Sequence, residues 1–180
     1  ISTNYFIVMI VVYLVFSLDI ILAKRFFVPE LAGQYAVLSM LGKMIFFGTI
    51  AISKAMFPLT SEKHDMKENA SRVFRRAFVL IGFICLVGVL IYGLLPELVV
   101  GVLYGQDYIE VAPYLIYSAI ALSVLSLTNL FLIYKLSTNK IKRPQFLFLF
   151  LIIEIVLLCI FNSSIKEYII AFMVSNIIMF

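Results

Sequence analysis

Apolar runs of about 20 residues, repeated along the chain and separated by short polar stretches, constrain this sequence more than any other feature. A helix needs about 20 mostly apolar residues to cross the roughly 30 Å hydrocarbon core of a bilayer. Six runs approach or reach that length, at about 4–27, 35–57, 77–95, 111–134, 144–161 and 167–180. They are continuous and apolar on every face, unlike the alternating segments of about ten residues that build membrane barrels. The expected fold is therefore all-α, a polytopic membrane bundle of six transmembrane helices. Composition agrees, with 64% of the 180 residues apolar and 13% charged, where soluble domains carry about a quarter charged residues.

The net charge of +4 would point to nucleic acid only if the bases clustered on a polar surface. Here they punctuate apolar runs, so no nucleic-acid partner is expected. Cys85 and Cys159 both lie inside such runs, and His64 is the one histidine. That excludes a disulfide framework or a His-rich metal site, and no cofactor is implied. The first run lacks the flanks of a signal peptide. The last has 14 residues and the chain opens on Ile1, so the sequence reads as part of a longer protein, cut inside a final span. Residues 1–180 are expected to form one six-helix domain.

Proline is tolerated in a helix's first turn or beyond its end. Pro29, Pro58 and Pro96 are accordingly expected to follow spans one, two and three, and Pro113 and Pro144 to open spans four and five. Cytoplasmic loops hold the excess of Lys and Arg. Lys54 at the end of span two and Lys63, Lys67, Arg72, Arg75 and Arg76 before span three are grouped on one side with Lys135, Lys140, Lys142 and Arg143 between four and five. Only Lys24, Arg25 and Lys166 fall on the other side. The expectation is a multi-pass protein of the cytoplasmic membrane, with the start of span one and loops 58–76 and 135–143 in the cytoplasm.

Within 61–76, residues Met66, Ala70, Val73, Phe74, Ala77 and Phe78 share one helical face, opposite a basic one. This predicts an amphipathic segment on anionic headgroups, with Arg72, Arg75 and Arg76 as lipid-headgroup candidates. The alternative is a solvated elbow before span three. Glu68 and Arg72 are spaced as an i,i+4 pair, which carries no functional information.

A charge deep in a span costs roughly 2.5–3.5 kcal/mol and should face protein or water. Asp19, Lys43 and Glu154 meet that description. Asp19 and Lys43 each lie 12 residues from Leu31, so an antiparallel hairpin turning there predicts an ion pair. It serves either a charged substrate cavity or helix packing. Lys24 and Arg25 either snorkel to the headgroups or line an outer cavity mouth that attracts phosphate. Glu154 has no basic partner evident in the sequence, and is either a protonated carboxyl bonded to a neighbour or an ion-coupling site. Ser118, Ser123, Ser126, Thr128 and Asn129 in span four suit close packing and bonds between helices.

Several of these residues form short motifs in a fixed order. Asp19 late in span one precedes Leu31-Ala32-Gly33-Gln34-Tyr35; Ala55-Met56-Phe57-Pro58 closes span two; Leu103-Tyr104-Gly105-Gln106-Asp107-Tyr108 lies in the outer loop, and the basic stretch Lys135 to Arg143 follows span four. Together they resemble the O-antigen and capsular polysaccharide flippases of the multidrug/oligosaccharidyl-lipid/polysaccharide exporter superfamily. The resemblance implies the second six-helix lobe of a two-lobe, alternating-access transporter. Its substrate would be an undecaprenyl-pyrophosphate-linked oligosaccharide, and its partners membrane lipid and the missing N-terminal lobe. It also implies Lys24, Arg25 and Lys43 as pyrophosphate or cavity cations, positioned by Asp19. A peptidoglycan-precursor flippase or a drug/cation antiporter of the same superfamily shares the fold. A membrane-embedded glycan polymerase or glycosyltransferase would need catalytic groups in a sizeable aqueous loop. The outward loops are short, so an enzyme is not expected. A bundle that only scaffolds other membrane proteins would lack a polar cavity.

Overall fold

The computed structural model describes residues 2–65, 70–138, 140–141 and 144–180. Among them every regular element is helical: α1 (Ser2–Phe26), α2 (Pro29–Asp65), α3 (Ala70–Leu94), α4 (Pro96–Leu103), a 3-10 segment Gln106–Tyr114, α5 (Leu115–Ser137), a 3-10 turn Pro144–Phe146, α6 (Leu147–Ile160) and α7 (Ile165–Met179). Four stretches of the described residues are long and apolar enough to cross a membrane: 3–26, 29–63, 70–94 and 106–137. Six were expected. The fifth expected span appears as a shorter apolar helical stretch, Pro144–Ile160, and the sixth as α7.

The bundle is built around α5. Helices α2, α3 and α7 all pack on it, and its buried residues include Leu115, Ala119, Leu122, Leu125, Leu130 and Ile133. Small residues set how close α2 approaches. A Cβ added at Gly42 would collide with the Ser118 hydroxyl, which itself donates to the Leu38 carbonyl at 2.6 Å. Ser118 thus bonds across to another helix, as small polar residues do in membranes. Ser126 and Thr128 instead bond back to Leu122 and Val124 on their own helix, while the Ser123 hydroxyl and Asn129 amide nitrogen are buried without hydrogen-bond partners among the described residues. Helix α3 is the most lipid-like surface, with Val79, Leu80, Phe83, Leu86 and Leu90 exposed.

Three boundaries differ from the sequence expectation. Pro29 opens α2 directly, so α1 and α2 are joined by two residues, 27–28, rather than by a loop centred near Leu31. Pro58 lies inside α2, which continues to Asp65. The missing N–H of Pro58 removes one bond of the ladder, but Thr60 two residues on ties α2 to α5 through Ser137 at 2.6 Å. In the segment 61–76, residues 61–65 finish α2 and 70–76 form the first turns of α3. Its described parts are therefore ends of long helices, not a separate surface helix. Met66, Lys67 and Glu68, and with Glu68 the pairing to Arg72, lie outside the described residues, as do Lys142 and Arg143 of the second basic loop. The stretch from Pro96 holds an unexpected short helix, α4, which ends where Gly105 adopts φ +91°, a conformation that favours glycine.

The helix ends sort into two groups. Asn4 donates to the Ile141 carbonyl at 3.1 Å, Thr60 meets Ser137, and the Phe74 and Tyr134 rings lie 4.5 Å apart. The start of α1, the end of α2, the start of α3 and the end of α5 therefore share one end of the bundle, and the described residues of both basic stretches lie there. At the other end Gln34 reaches Glu110, and Phe27 packs edge-on against Tyr168 at 5.3 Å.

Candidate functional site

The site lies inside the bundle, where α2 presents Tyr35, Ser39 and Lys43 at four-residue intervals. Residues so spaced stack on one helix face. All three converge on the Asp19 carboxylate of α1. Lys43 Nζ donates to Oδ1 at 3.0 Å, Tyr35 Oη to Oδ2 at 3.1 Å, and the Ser39 hydroxyl makes a short bond to the same Oδ2. The Lys43 ammonium also sits 4.8 Å from the centre of the Phe16 ring, an added electrostatic contact for a desolvated cation. From α7 the Tyr168 hydroxyl donates to the backbone carbonyl of Asp19 at 2.8 Å, and its ring packs edge-on against Tyr35 at 4.8 Å. Asp19 is fully buried and Lys43 is 3% exposed.

The arrangement meets the physical requirement on a buried ion pair. Desolvation of two charges is offset only when the pair is close and the remaining lone pairs are bonded. Both Asp19 oxygens have donors, and the cluster joins three helices, α1, α2 and α7.

Of the sequence candidates, the structure brings together Asp19, Lys43 and Glu154. Glu154 on α6 is 1% exposed, and neither carboxyl oxygen has a hydrogen-bond partner among the described residues. The charges of Asp19 and Lys43 act on it, as it acts on Tyr35 and Tyr168. Lys43 thus lies within electrostatic range of it, which the sequence did not reveal. Lys24 and Arg25 stand apart from this cluster, exposed in the last turn of α1. Lys24 lines a cleft of about 430 Å³ with Ile20, Phe27, Pro29, Ala32, Gly33 and Ala36. Arg25 is not among the residues that line it.

Tyr35, Ser39 and Tyr168 were not singled out from the sequence. The first two had a signal, since counting back from Lys43 in fours reaches both. Tyr168 had none, being 149 residues from its partner. No group of three or more His, Cys, Asp and Glu among the described residues has the arrangement of a metal site.

Comparison with protein families decides what kind of bundle this is, since residues 1–113, which contain α1 to α4 and the Asp19–Lys43 pair, match a family of polysaccharide biosynthesis proteins. The chain belongs to this polysaccharide biosynthesis family. The match includes three of the four motifs noted in the sequence, through Leu103–Tyr108; the basic stretch from Lys135 lies beyond it. No curated protein and no solved structure is significantly similar to the chain. Family and helices together make this a membrane protein with a role in polysaccharide biosynthesis or transport.

Proposed function

We propose that the protein is a transporter, not an enzyme, and that it moves a lipid-linked oligosaccharide, carried on undecaprenyl pyrophosphate, from the inner to the outer leaflet of the cytoplasmic membrane. The 180 residues then act as one lobe of a two-lobe, alternating-access machine serving O-antigen or capsule synthesis. A peptidoglycan-precursor flippase or drug/cation antiporter of the same architecture is the alternative. The observation that carries the proposal is a polysaccharide-biosynthesis family match on a bundle that buries three charged side chains, Asp19, Lys43 and Glu154, inside apolar helices. A sugar chain cannot cross hydrocarbon with its hydroxyls unsatisfied, so membrane passage is the step of glycan assembly that such a body suits.

Within this reading the residues divide the work. Lys24, at the wall of an open cleft, is the cation available to a diphosphate, with Arg25 beside it in sequence. The Asp19–Lys43 pair, sealed by Tyr35, Ser39 and Tyr168, holds α1, α2 and α7 in register below that cleft. The basic end of the bundle faces the cytoplasm.

The test uses cells that lack their own exporter and express this protein. Lipid-linked oligosaccharide is then probed with a membrane-impermeant glycosidase on intact spheroplasts. Flipping predicts that glycan becomes accessible only when the protein is present, with unchanged chain length. A change in chain length without a change in accessibility assigns the protein to polymerisation instead.

A further inference from the structure

The cationic end of α3 continues into the bundle's most exposed apolar surface, and the two together have the layout of an amphiphile. Arg72, Arg75 and Arg76 form the upper wall of an open groove of about 690 Å³ whose lower wall is Val79, Leu80 and Phe83. The last three side chains are 64%, 49% and 63% exposed. From Arg72 to Phe83 the helix rises roughly 16 Å at 1.5 Å per residue, close to the depth of one leaflet of a bilayer about 30 Å thick. A second groove of about 480 Å³ runs between α2 and α3, walled by Ile52, Met56, Leu59 and Val73 with Lys63 near its top. Arg76 and Leu80 line both grooves. The two grooves therefore meet along one guanidinium and one apolar side chain, which suits a ligand with one charged head and two tails.

We infer that this junction is a binding site for an anionic glycerophospholipid. Its phosphate is held by Arg76 with Arg72 and Arg75, and its two acyl chains lie one in each groove against Leu80. Charge complementarity selects the occupant. No described acidic side chain forms a salt bridge with any of the three arginines, and guanidinium presents paired N–H donors to phosphate oxygens. The apolar depth of one leaflet matches a resident phospholipid. The inference rests on α3 lying in a membrane and is independent of what the protein transports, so the glycosidase assay and the experiment below succeed or fail separately.

The experiment is native mass spectrometry of the full chain released from detergent containing equal amounts of phosphatidylglycerol and phosphatidylcholine. The wild type should retain phosphatidylglycerol at least tenfold over phosphatidylcholine. Arg76→Gln should reduce that preference roughly fivefold, the share of about one basic residue at an anionic surface, and Arg72→Gln/Arg75→Gln/Arg76→Gln should abolish it. A triple Lys variant keeps the charge and should keep most of the selectivity, which separates lost binding from lost folding. Leu80→Asp should lower retention of both lipids. Equal retention by the wild type would overturn the site, as would a preference that survives the triple Gln change. Selective retention of an added polyprenyl diphosphate over phosphatidylglycerol would also overturn it, reassigning the groove to the transported lipid.

Discussion

Lys43 and Asp19 close a 3.0 Å ion pair although they start from different depths along their helices. Asp19 lies seven residues before the end of α1 and Lys43 fourteen after the start of α2, an offset of roughly 10 Å at 1.5 Å per residue. The side chains cover it. Side chains tilt toward the N-terminus of their own helix, so in an antiparallel pair Lys43 leans toward the start of α2 and Asp19 toward the start of α1, each toward the other. Tyr35 and Ser39 occupy the two turns of α2 above Lys43 and bond the other carboxylate oxygen.

Breaking this pair from one side should cost much more than removing it whole. Asp19→Ala or Lys43→Ala leaves a buried charge without its partner and should destabilise the protein by about 3–5 kcal/mol. Asp19→Leu with Lys43→Met should recover most of that loss. Thermal unfolding in detergent, compared across the four proteins, gives the coupling.

The contact of α2 with α5 predicts a second pair of variants. Gly42→Ala sets a methyl group against the Ser118 hydroxyl and should cost about 1–3 kcal/mol, as overpacking does. Adding Ser118→Ala removes the closest obstruction, leaving the Ser118 carbonyl and Leu122 at 3.0 and 3.1 Å, and should restore part of the stability, although the bond to the Leu38 carbonyl goes with it. Unfolding midpoints of the single and double variants check this.

Glu154 accepts no hydrogen bond among the described residues, so its amide isostere loses no partner. Glu154→Gln should accumulate in membranes at wild-type level. Glu154→Lys places a second cation within the field of Lys43 and should fail to accumulate. Immunoblots of membrane fractions distinguish the two.

Lys24 is exposed and takes no part in the buried cluster. Its replacement by Ala should shift stability by less than about 0.5 kcal/mol while lowering export. Lys24→Arg should retain export, since the charge facing the cleft is kept. Export divided by the amount of protein in the membrane is the quantity to compare.

The helical membrane character was legible in the sequence because apolar runs of bilayer length have few other uses. The Asp19–Lys43 pairing was legible for a related reason, that charges at such depth must find each other. The turn assumed at Leu31 was misplaced, yet the pair forms, because a lysine chain bridges more than one helical turn. Pro58 was read as a stop, while in the structure α2 runs past it and gains a tie to Ser137. Tyr168 was invisible, since nothing local links it to a carbonyl on the first helix. Glu154 lacked an evident partner because its neighbours come from α1 and α2, and contacts between distant helices leave no spacing to count.

The most direct test of the account compares export per molecule of membrane protein in Lys24→Ala and in the Asp19→Leu/Lys43→Met double variant. If Lys24 meets the diphosphate and the pair below it holds the helices, the double variant exports near the wild-type rate per molecule, while Lys24→Ala exports poorly at normal protein level. A double variant that accumulates normally but exports nothing, beside a Lys24→Ala protein that exports fully, would contradict the account and place the transport path through Asp19 and Lys43.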